Sequence, residues 1–167
     1  MENSLPKIVC HMMTALDGKI TGPFMDTEIA EIVGEEYERT NNTYRPQAWL
    51  CGRVTTDENF TFYRKPDLEE QVSEVPGGDF VAVKEAGMYY VSVDASGWRF
   101  INWTFLQAGL VDELSLVITP VADGENNTVT LFEKSDGLPA HAPVGFTLKS
   151  VDILNGGGVW LRYLVKK

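Results

Sequence analysis

The sequence predicts an α/β protein with a mixed, mostly parallel sheet, helices on the faces of that sheet and an antiparallel hairpin at the C-terminal end. Three observations support this fold class. Short β-branched and aromatic runs alternate with stretches whose apolar residues recur at helical spacing. Two β-rich runs towards the end of the chain are separated only by a glycine-rich turn. A length of 167 residues suffices for one domain with its own core, so we expect a single domain over residues 1–167.

The first strand and the first helix follow from local signals. Residues 7–13 are apolar enough for a buried strand, and Asp17-Gly18 supplies the positive φ at which such a strand turns sharply. Thr27 is suited to cap the N-terminus of a helix. The apolar residues after it recur at helical spacing and predict a surface amphipathic helix; they are Ile29, Ile32, Val33 and Tyr37.

The remaining elements are predicted in the same way. Pro66 and Pro76 mark the charged stretch 65–78 as a loop, and Gly109 is placed to end a helix. In chain order we expect a short buried strand at 48–51, a helix that begins over 55–60, a strand at 88–93, a helix at 100–108, a strand at 114–121 and a hairpin over 144–166 that turns at 155–158.

The charge balance excludes two classes of partner. Fourteen basic residues against 24 acidic ones give a net charge of −10, which opposes binding to nucleic acid phosphates and to anionic membrane surfaces. No apolar run approaches the length of a membrane span, and the N-terminus lacks the basic and apolar regions of a signal peptide. We therefore expect a cytoplasmic protein with no nucleic acid or membrane partner, in which Cys10 and Cys51 are reduced core thiols.

The polar residues give little sign of metal or acid–base catalysis. His11 and His141 are the only histidines, and their spacing does not suggest a zinc site, so we expect no bound metal. His11 beside an apolar run is typical of a core or pocket-wall residue. Asp112 and Glu113 are adjacent and would point in different directions, which disfavours a shared catalytic site and favours structural roles.

Three sequence segments point to a known family. The stretch from His11 to Gly22 joins an apolar strand to a Thr-x-x-Asp-Gly-Lys turn, and the run from Leu50 to Thr56 reads as a strand followed by a Gly-Arg-x-Thr helix start. The stretch from Ala108 to Val121 reads as a late helix-to-strand connection. Together they resemble the dihydrofolate reductase-like fold, in the branch formed by the C-terminal reductase domain of the bifunctional riboflavin-biosynthesis protein.

This resemblance implies an NADPH-dependent reductase of 5-amino-6-(5-phosphoribosylamino)uracil, a small-molecule substrate whose ribose is opened to ribityl by hydride transfer. Because the cofactor does the chemistry, no catalytic side chain is expected. The resemblance places the cofactor phosphates at a helix N-terminus formed by Gly52, Arg53, Thr55 and Thr56. It places the substrate hydroxyls against Thr14, Asp17 and Lys19; the alternative is that Asp17-Gly18 serves only as a turn.

The chain also departs from the family pattern. Only residues 94–100 separate the strand at 88–93 from the segment that resembles the late helix of the family, which is too short for another parallel crossover. We interpret this as a large internal deletion near 94–100, of the kind found in an engineered or selected derivative. Trp98 and Trp103 would then fill the space left by the deleted layer or anchor an interface. Without the glycine-rich turn of the family, we expect NADPH binding to be impaired.

Two other functions remain open. The chain could be a deletion derivative without catalytic activity, a stably folded scaffold that forms a homodimer around the segment from Trp98 to Phe105. It could also be a small acidic binding module that keeps a pocket for nucleotides or pterin-like rings without turnover. Saturable binding of NADPH would favour the reductase or the module, and turnover would separate those two.

Overall fold

The computed structural model describes residues 6–65, 67, 86–93, 101–133 and 142–167. These residues belong to two compact units, a larger one over 1–45 and 98–167 and a smaller one over 46–97. Most of the predicted loop at 65–78 and the whole junction at 94–100 lie outside the described residues, so the proposed deletion stays a prediction. Within the described ranges, every helix is too short or too polar to span a membrane.

The regular elements fall close to the predicted ones. In chain order they are β1 (Val9–Thr14), α1 (Glu28–Asn42), β2 (Ala48–Gly52), α2 (Arg53–Thr56), β3 (Tyr89–Val93), α3 (Ile101–Gln107), β4 (Glu113–Ile118), β5 (Phe146–Ile153) and β6 (Val159–Val165). Short 3-10 turns occupy Pro23–Asp26 and Asn155–Gly157, and a π-helical turn over Asp57–Thr61 continues α2.

The larger unit contains a four-stranded sheet in the order β1-β4-β6-β5. Strand β4 pairs in parallel with β1 and antiparallel with β6, and β5 and β6 form the predicted C-terminal hairpin. With the β2–β3 pair of the smaller unit, parallel and antiparallel pairs are equal in number among the described strands. The α/β class and the mixed sheet are therefore confirmed, but the sheet is not mostly parallel, because β6 returns directly beside β4.

Helix α1 packs on one face of this sheet, which we call the helix face. Its Val33 is fully buried against Val117 of β4 and Trp160 of β6, and Met13 of β1 joins the same cluster. The predicted cap is present, since the Thr27 hydroxyl accepts from the amide of Ala30 at 3.2 Å. The apolar core of the larger unit therefore lies between α1 and the helix face.

The apolar spacing in α1 gave a wrong prediction for the burial of two residues. Ile29 and Ile32 are exposed, whereas Ala30, Val33 and Thr40 are buried. Small and polar side chains occupy much of the buried face because α1 lies close to the sheet and to the turn between β5 and β6. At Gly158 of this turn, a Cβ would meet the Val33 side chain at 3.1 Å.

The smaller unit has a two-stranded parallel sheet. Strands β2 and β3 pair along their whole length, from Ala48 opposite Tyr89 to Gly52 opposite Val93. Helix α2 starts directly after β2. The strand predicted at 48–51 is confirmed, but its expected burial is not, because Leu50 is exposed.

One buried carboxylate connects four segments of the larger unit. Glu113 opens β4 and is fully buried, and its Oε2 accepts from Lys7 Nζ at 2.7 Å and from Lys149 Nζ at 2.9 Å. Its Oε1 accepts from the Tyr44 hydroxyl at 2.9 Å. Burial alone would raise the pKa of Glu113, but the hydrogen bonds from Lys7, Lys149 and Tyr44 outweigh burial and lower it. Asp112 points elsewhere and accepts from the Ile8 amide and from Lys167, so the adjacent acids are separate and structural, as predicted.

We expect Glu113→Gln to lower the free energy of unfolding at neutral pH by about 1.5–3 kcal/mol, since it weakens charge-assisted hydrogen bonds to two lysines that can return to solvent. Because the folded pKa is lowered, the stability from Glu113 is present above its ordinary pKa of 4.5 and is lost as the pH falls through the folded value. Urea unfolding from about pH 5 to about pH 3 should therefore show a smaller loss in Glu113→Gln than in the unmodified protein. Glu38→Gln makes the same charge change at an exposed position and serves as control; equal acid sensitivity of all three proteins would contradict this role.

Candidate functional site

Two Asp-Gly loops follow two adjacent parallel strands of the larger unit. Asp17-Gly18 comes after β1, and Asp123-Gly124 comes after β4. The carboxyl ends of neighbouring parallel strands are where ligands bind most often in α/β sheets. We call this edge, with residues 14–22 and 119–131, the paired-loop edge.

The first loop is a tight turn. The Ala15 amide donates to the Lys19 carbonyl at 2.9 Å, and the Gly18 amide donates to the Ala15 carbonyl at 3.0 Å. Gly18 has φ +79°, the left-handed backbone that the sequence predicted for this position. Thr14, at the end of β1, is buried.

The second loop holds the first in place. The Leu16 amide donates to the Val121 carbonyl at 2.8 Å, and the Leu131 amide donates to the Gly18 carbonyl at 3.0 Å. Lys19 reaches across with its Nζ to the Thr128 carbonyl at 2.8 Å. The position of each loop is therefore set by the other.

Asp17 and Asp123 accept backbone hydrogen bonds across this edge. Asp17 Oδ2 accepts from the Gly124 amide at 2.9 Å, and Asp123 Oδ2 accepts from the Phe24 amide at 3.0 Å. The Gly124 hydrogen bond lowers the pKa of Asp17 below its ordinary value, and the charge of Lys19 adds a smaller lowering. Asp17 is thus an exposed, ionised carboxylate that can accept hydrogen bonds from ligand hydroxyls.

The three predicted substrate residues have different environments. Asp17 is exposed on the loop, Lys19 is partly buried and bound to a carbonyl, and the buried Thr14 supports the strand end. The Thr119 hydroxyl, at the end of β4, is fully buried and lacks a hydrogen-bond partner among the described residues. Sequence reasoning missed the second loop, although the Asp-Gly pair at 123–124 repeats the signal that identified the first.

The four predicted cofactor residues lie in the smaller unit, at the junction of β2 and α2. Gly52 is the N-cap and places no side chain over the first turn of α2, whose leading amides are left without a side-chain cap. Arg53 Nη1 donates to Asp57 Oδ2 at 2.9 Å. The Thr55 carbonyl accepts from Asn59, and the Thr56 hydroxyl contacts the Gly52 carbonyl at 3.1 Å and Ser92 Oγ at 2.8 Å.

These residues fit a phosphate group only in part. The leading amides of α2 and the Arg53 guanidinium are suitable donors. However, the Asp57 carboxylate beside Arg53 repels an anion, and the Thr56 hydroxyl is already used within the unit. The arrangement therefore supplies fewer charge-assisted hydrogen bonds than the resemblance implies.

We expect Gly18→Val to destabilise the protein by more than the roughly 1–2 kcal/mol that a left-handed backbone costs an ordinary residue, because a β-branched side chain tolerates it even less. No atom lies within 4 Å of the Cβ position at Gly18, so backbone strain and not a clash is tested. Gly34→Ala, in α1 and with similarly open space, should instead stabilise by about 1 kcal/mol. Urea unfolding measures both variants, and an unchanged stability of Gly18→Val would show that the turn can relax.

Comparison with known proteins identifies the fold. No protein-family model and no curated protein matches the sequence. A Shewanella sp. PV-4 protein provisionally assigned to riboflavin biosynthesis has a similar structure, with a TM-score of 0.60, 18% identity, and coverage of 97% of this chain and 100% of that one. Acinetobacter baumannii RibD gives a TM-score of 0.60 at 13% identity, over 97% of this chain but only 58% of that one.

A third similar structure carries a fuller description. It is a Thermotoga maritima diaminohydroxyphosphoribosylaminopyrimidine deaminase/5-amino-6-(5-phosphoribosylamino)uracil reductase, with a TM-score of 0.54, 13% identity, and coverage of 96% of this chain and 57% of that one. The chain thus spans little more than half the length of these two larger proteins. Identities this low establish the shared fold and not a shared activity. The chain has the fold of these riboflavin-biosynthesis reductase-like proteins, the dihydrofolate reductase-like fold that its motifs predict.

Proposed function

We propose that this protein is a reductase of the riboflavin-biosynthesis type, which binds NADPH weakly and reduces a phosphoribosylamino-pyrimidine at the ribose. The observation that supports this most directly is the paired-loop edge: an ionised Asp17 on a rigid turn at the carboxyl ends of two parallel strands. A hydroxyl-rich sugar is the kind of ligand that such a carboxylate holds. The Thermotoga protein named above carries a reductase of this substrate class in its description.

The chemistry divides simply between cofactor and protein. NADPH, when bound, supplies the hydride. Asp17 would orient the sugar hydroxyls, and the hydrogen bonds between the two loops would keep its carboxylate in place. The leading amides of α2 and Arg53 would hold a phosphate of the cofactor. The proposed hydride transfer requires no nucleophilic side chain.

The test of activity uses the unmodified protein with NADPH and 5-amino-6-(5-phosphoribosylamino)uracil. Loss of absorbance of the reduced nicotinamide, together with a ribityl product in mass spectrometry, is the expected result. Saturable NADPH fluorescence without turnover would favour the binding module over the reductase. Absence of both would leave the inactive scaffold as the better description.

Removal of the negative charge next to Arg53 tests the cofactor residues. We expect Asp57→Asn to tighten NADPH binding by about tenfold, because it removes the carboxylate that repels the phosphate. A tenfold change in affinity corresponds to about 1.4 kcal/mol of binding free energy. Arg53→Gln should weaken binding by a similar factor. Calorimetry measures both, and Glu38→Gln, in the larger unit, corrects for the change in net charge. Equal affinity in all the variants would place the cofactor elsewhere.

A second candidate function, the homodimeric scaffold, is supported by a different observation. On the sheet face opposite α1, the edge strand β5 exposes Leu148, Val151 and Ile153, with exposed fractions of 53%, 52% and 86%. Their partners in β6 lie on the same face, so these three residues form one apolar patch, the β5 patch. Exposed patches of this kind favour association, and a two-fold axis can pair such a patch with itself.

The segment from Trp98 to Phe105, around which the sequence predicts a homodimer, is described only in part. Trp98 lies outside the described residues. Trp103 packs edge-on against Phe132 with ring centroids 6.2 Å apart, and its Nε1 is buried. Trp103 therefore packs within the larger unit, and we place the proposed dimer contact at the β5 patch.

We expect light scattering to find a dimer for the unmodified protein at a concentration of tens of micromolar. Ile153→Glu should shift the protein to a monomer. The folding stability of that monomer should change little, since the Ile153 side chain is largely exposed. Leu16→Glu makes the same change at an exposed leucine away from the β5 patch and should stay dimeric. A monomer for the unmodified protein would end the dimer proposal while leaving the reductase proposal intact.

A further inference from the structure

The turn between β5 and β6 contains Asn155-Gly156, the one position in the sequence where a glycine follows an asparagine. Asn155 is exposed, and its side-chain Nδ2 donates to Glu36 Oε1 of α1 at 2.5 Å. This hydrogen bond joins the hairpin to the helix across 119 residues of sequence. Neither the proposed hydride transfer nor the β5 patch uses it.

Glu36 is a buried carboxylate with donors on both oxygens. Its Oε2 accepts from Arg39 Nε at 2.9 Å and from Arg39 Nη2, in the next turn of α1. The Arg39 hydrogen bonds lower the pKa of Glu36 below its ordinary value, and the Asn155 hydrogen bond adds a smaller lowering that burial offsets only in part. At neutral pH the Asn155 amide therefore donates to an ionised carboxylate, which makes this hydrogen bond charge-assisted.

The turn also packs directly against α1. Gly156 has φ +71°, and a Cβ at this position would lie 3.0 Å from Ile32 Cγ2. Leu154, at the start of the turn, is buried in the same apolar cluster as Val33. An additional backbone atom in the turn would therefore disturb its contact with the helix.

An asparagine before a glycine can lose its side-chain amide without any enzyme or oxidant. The backbone nitrogen of Gly156 attacks Cγ of Asn155, because a glycine has no Cβ that would hinder the approach. A new C–N bond forms, the Cγ–Nδ2 bond breaks, and Nδ2 leaves as ammonia with the amide proton of Gly156. Water then opens the cyclic imide at either carbonyl and leaves aspartate or isoaspartate at position 155.

The Glu36 carboxylate opposes each part of this reaction. Its hydrogen bond holds Nδ2 towards α1 and restricts the rotation of the Asn155 side chain that the attack requires. Donation to an anion strengthens the Cγ–Nδ2 bond and makes Cγ less electrophilic. The negative charge of Glu36 also disfavours ionisation of the Gly156 amide and the oxyanion that forms at Cγ.

The product turns an attraction into a repulsion. Deamidation replaces Nδ2, a donor, by a carboxylate oxygen that can only accept. Two carboxylates then face each other at the hairpin–helix contact, where the Arg39 guanidinium is already bound to Glu36. The isoaspartate product in addition lengthens the backbone of the turn by one carbon. Both products weaken the contact between the turn and α1.

We propose that Asn155 is a deamidation site controlled by Glu36, which slows the loss of the amide in the folded chain and is repelled by the carboxylate that forms. The modification is irreversible, so it converts a stable form of the larger unit into a less stable one as the protein ages. The site is independent of the proposed reductase activity.

The first test follows the Asn155 amide during incubation at mildly alkaline pH. Peptide mass mapping detects the change from amide to acid, and Asn127, which precedes a threonine, is the internal reference. We expect the unmodified chain to react about tenfold or more slowly when folded than in urea. Folded Glu36→Gln should react about tenfold faster than the folded unmodified chain, because a neutral hydrogen bond replaces a charge-assisted one.

Arg39→Gln is the matched control for this test. It removes a partner of Glu36 on the same helix but leaves the Glu36 carboxylate and its hydrogen bond to Asn155, so the slow rate should persist. Equal acceleration in Arg39→Gln and Glu36→Gln would attribute the protection to the general stability of α1 and overturn the role of Glu36. Equal rates in the unmodified chain and Glu36→Gln would overturn it as well, as would an amide that stays intact in both while the unfolded chain reacts.

Asn155→Asp reproduces one product and tests the repulsion separately. We expect it to raise the unfolding equilibrium constant at neutral pH by about tenfold, since repulsion replaces a charge-assisted hydrogen bond. The loss should be smaller in a Glu36→Gln background. It should also shrink as the pH falls through the range in which carboxylates take up protons, because protonation of either group removes the repulsion. Urea unfolding measures these effects, and an equal loss in both backgrounds would contradict the proposed repulsion.

Discussion

The larger unit is organised around the buried Glu113 carboxylate. Burying a charge costs several kcal/mol unless donors replace its water shell, so β4 can open on Glu113 only if those donors arrive together. They come from Lys7, two residues before β1, from the segment after α1 and from the edge strand β5. Each of these segments is distant in sequence from β4. The carboxylate therefore requires the N-terminal strand, the helix and the hairpin to take their places as one assembly.

The sequence predicted the features that depend on neighbours along the chain. The strands, the Thr27 cap and the left-handed Gly18 are set by interactions over a few residues, and they appear as expected. The partners of Glu113 could not be named from the sequence, because they lie between 36 and 106 residues away. Glu113 also lies just before the strand predicted at 114–121, so that prediction did not indicate its burial.

The difference between local and long-range interactions also explains the errors in the predicted burial of residues. Helical spacing predicted that α1 is amphipathic, but it could not show which apolar residues face the sheet. Ile29 and Ile32 are exposed, whereas Val33 is buried beside the turn between β5 and β6, where a Cβ on Gly158 would lie 3.1 Å from its side chain. Likewise, Gly52 and Arg53 start a helix as expected, but the carboxylate of Asp57 that alters their use comes one turn later. The chemistry of a site depends on the side chains that surround each functional residue, whereas the fold depends on them less.

Strand β5 shows how one lysine can protect an exposed sheet edge. The register between β5 and β6 shifts between Leu148 and Ser150, so Lys149 is an extra residue in the strand. This bulge allows its ammonium to reach Glu113 at the helix face, while Leu148 and Val151 stay on the opposite face. A bulge with an inward-directed lysine also interrupts the row of backbone groups that another strand would need for pairing. One of the two lysines that pair with the buried carboxylate therefore also limits strand-by-strand polymerisation at this edge of the sheet.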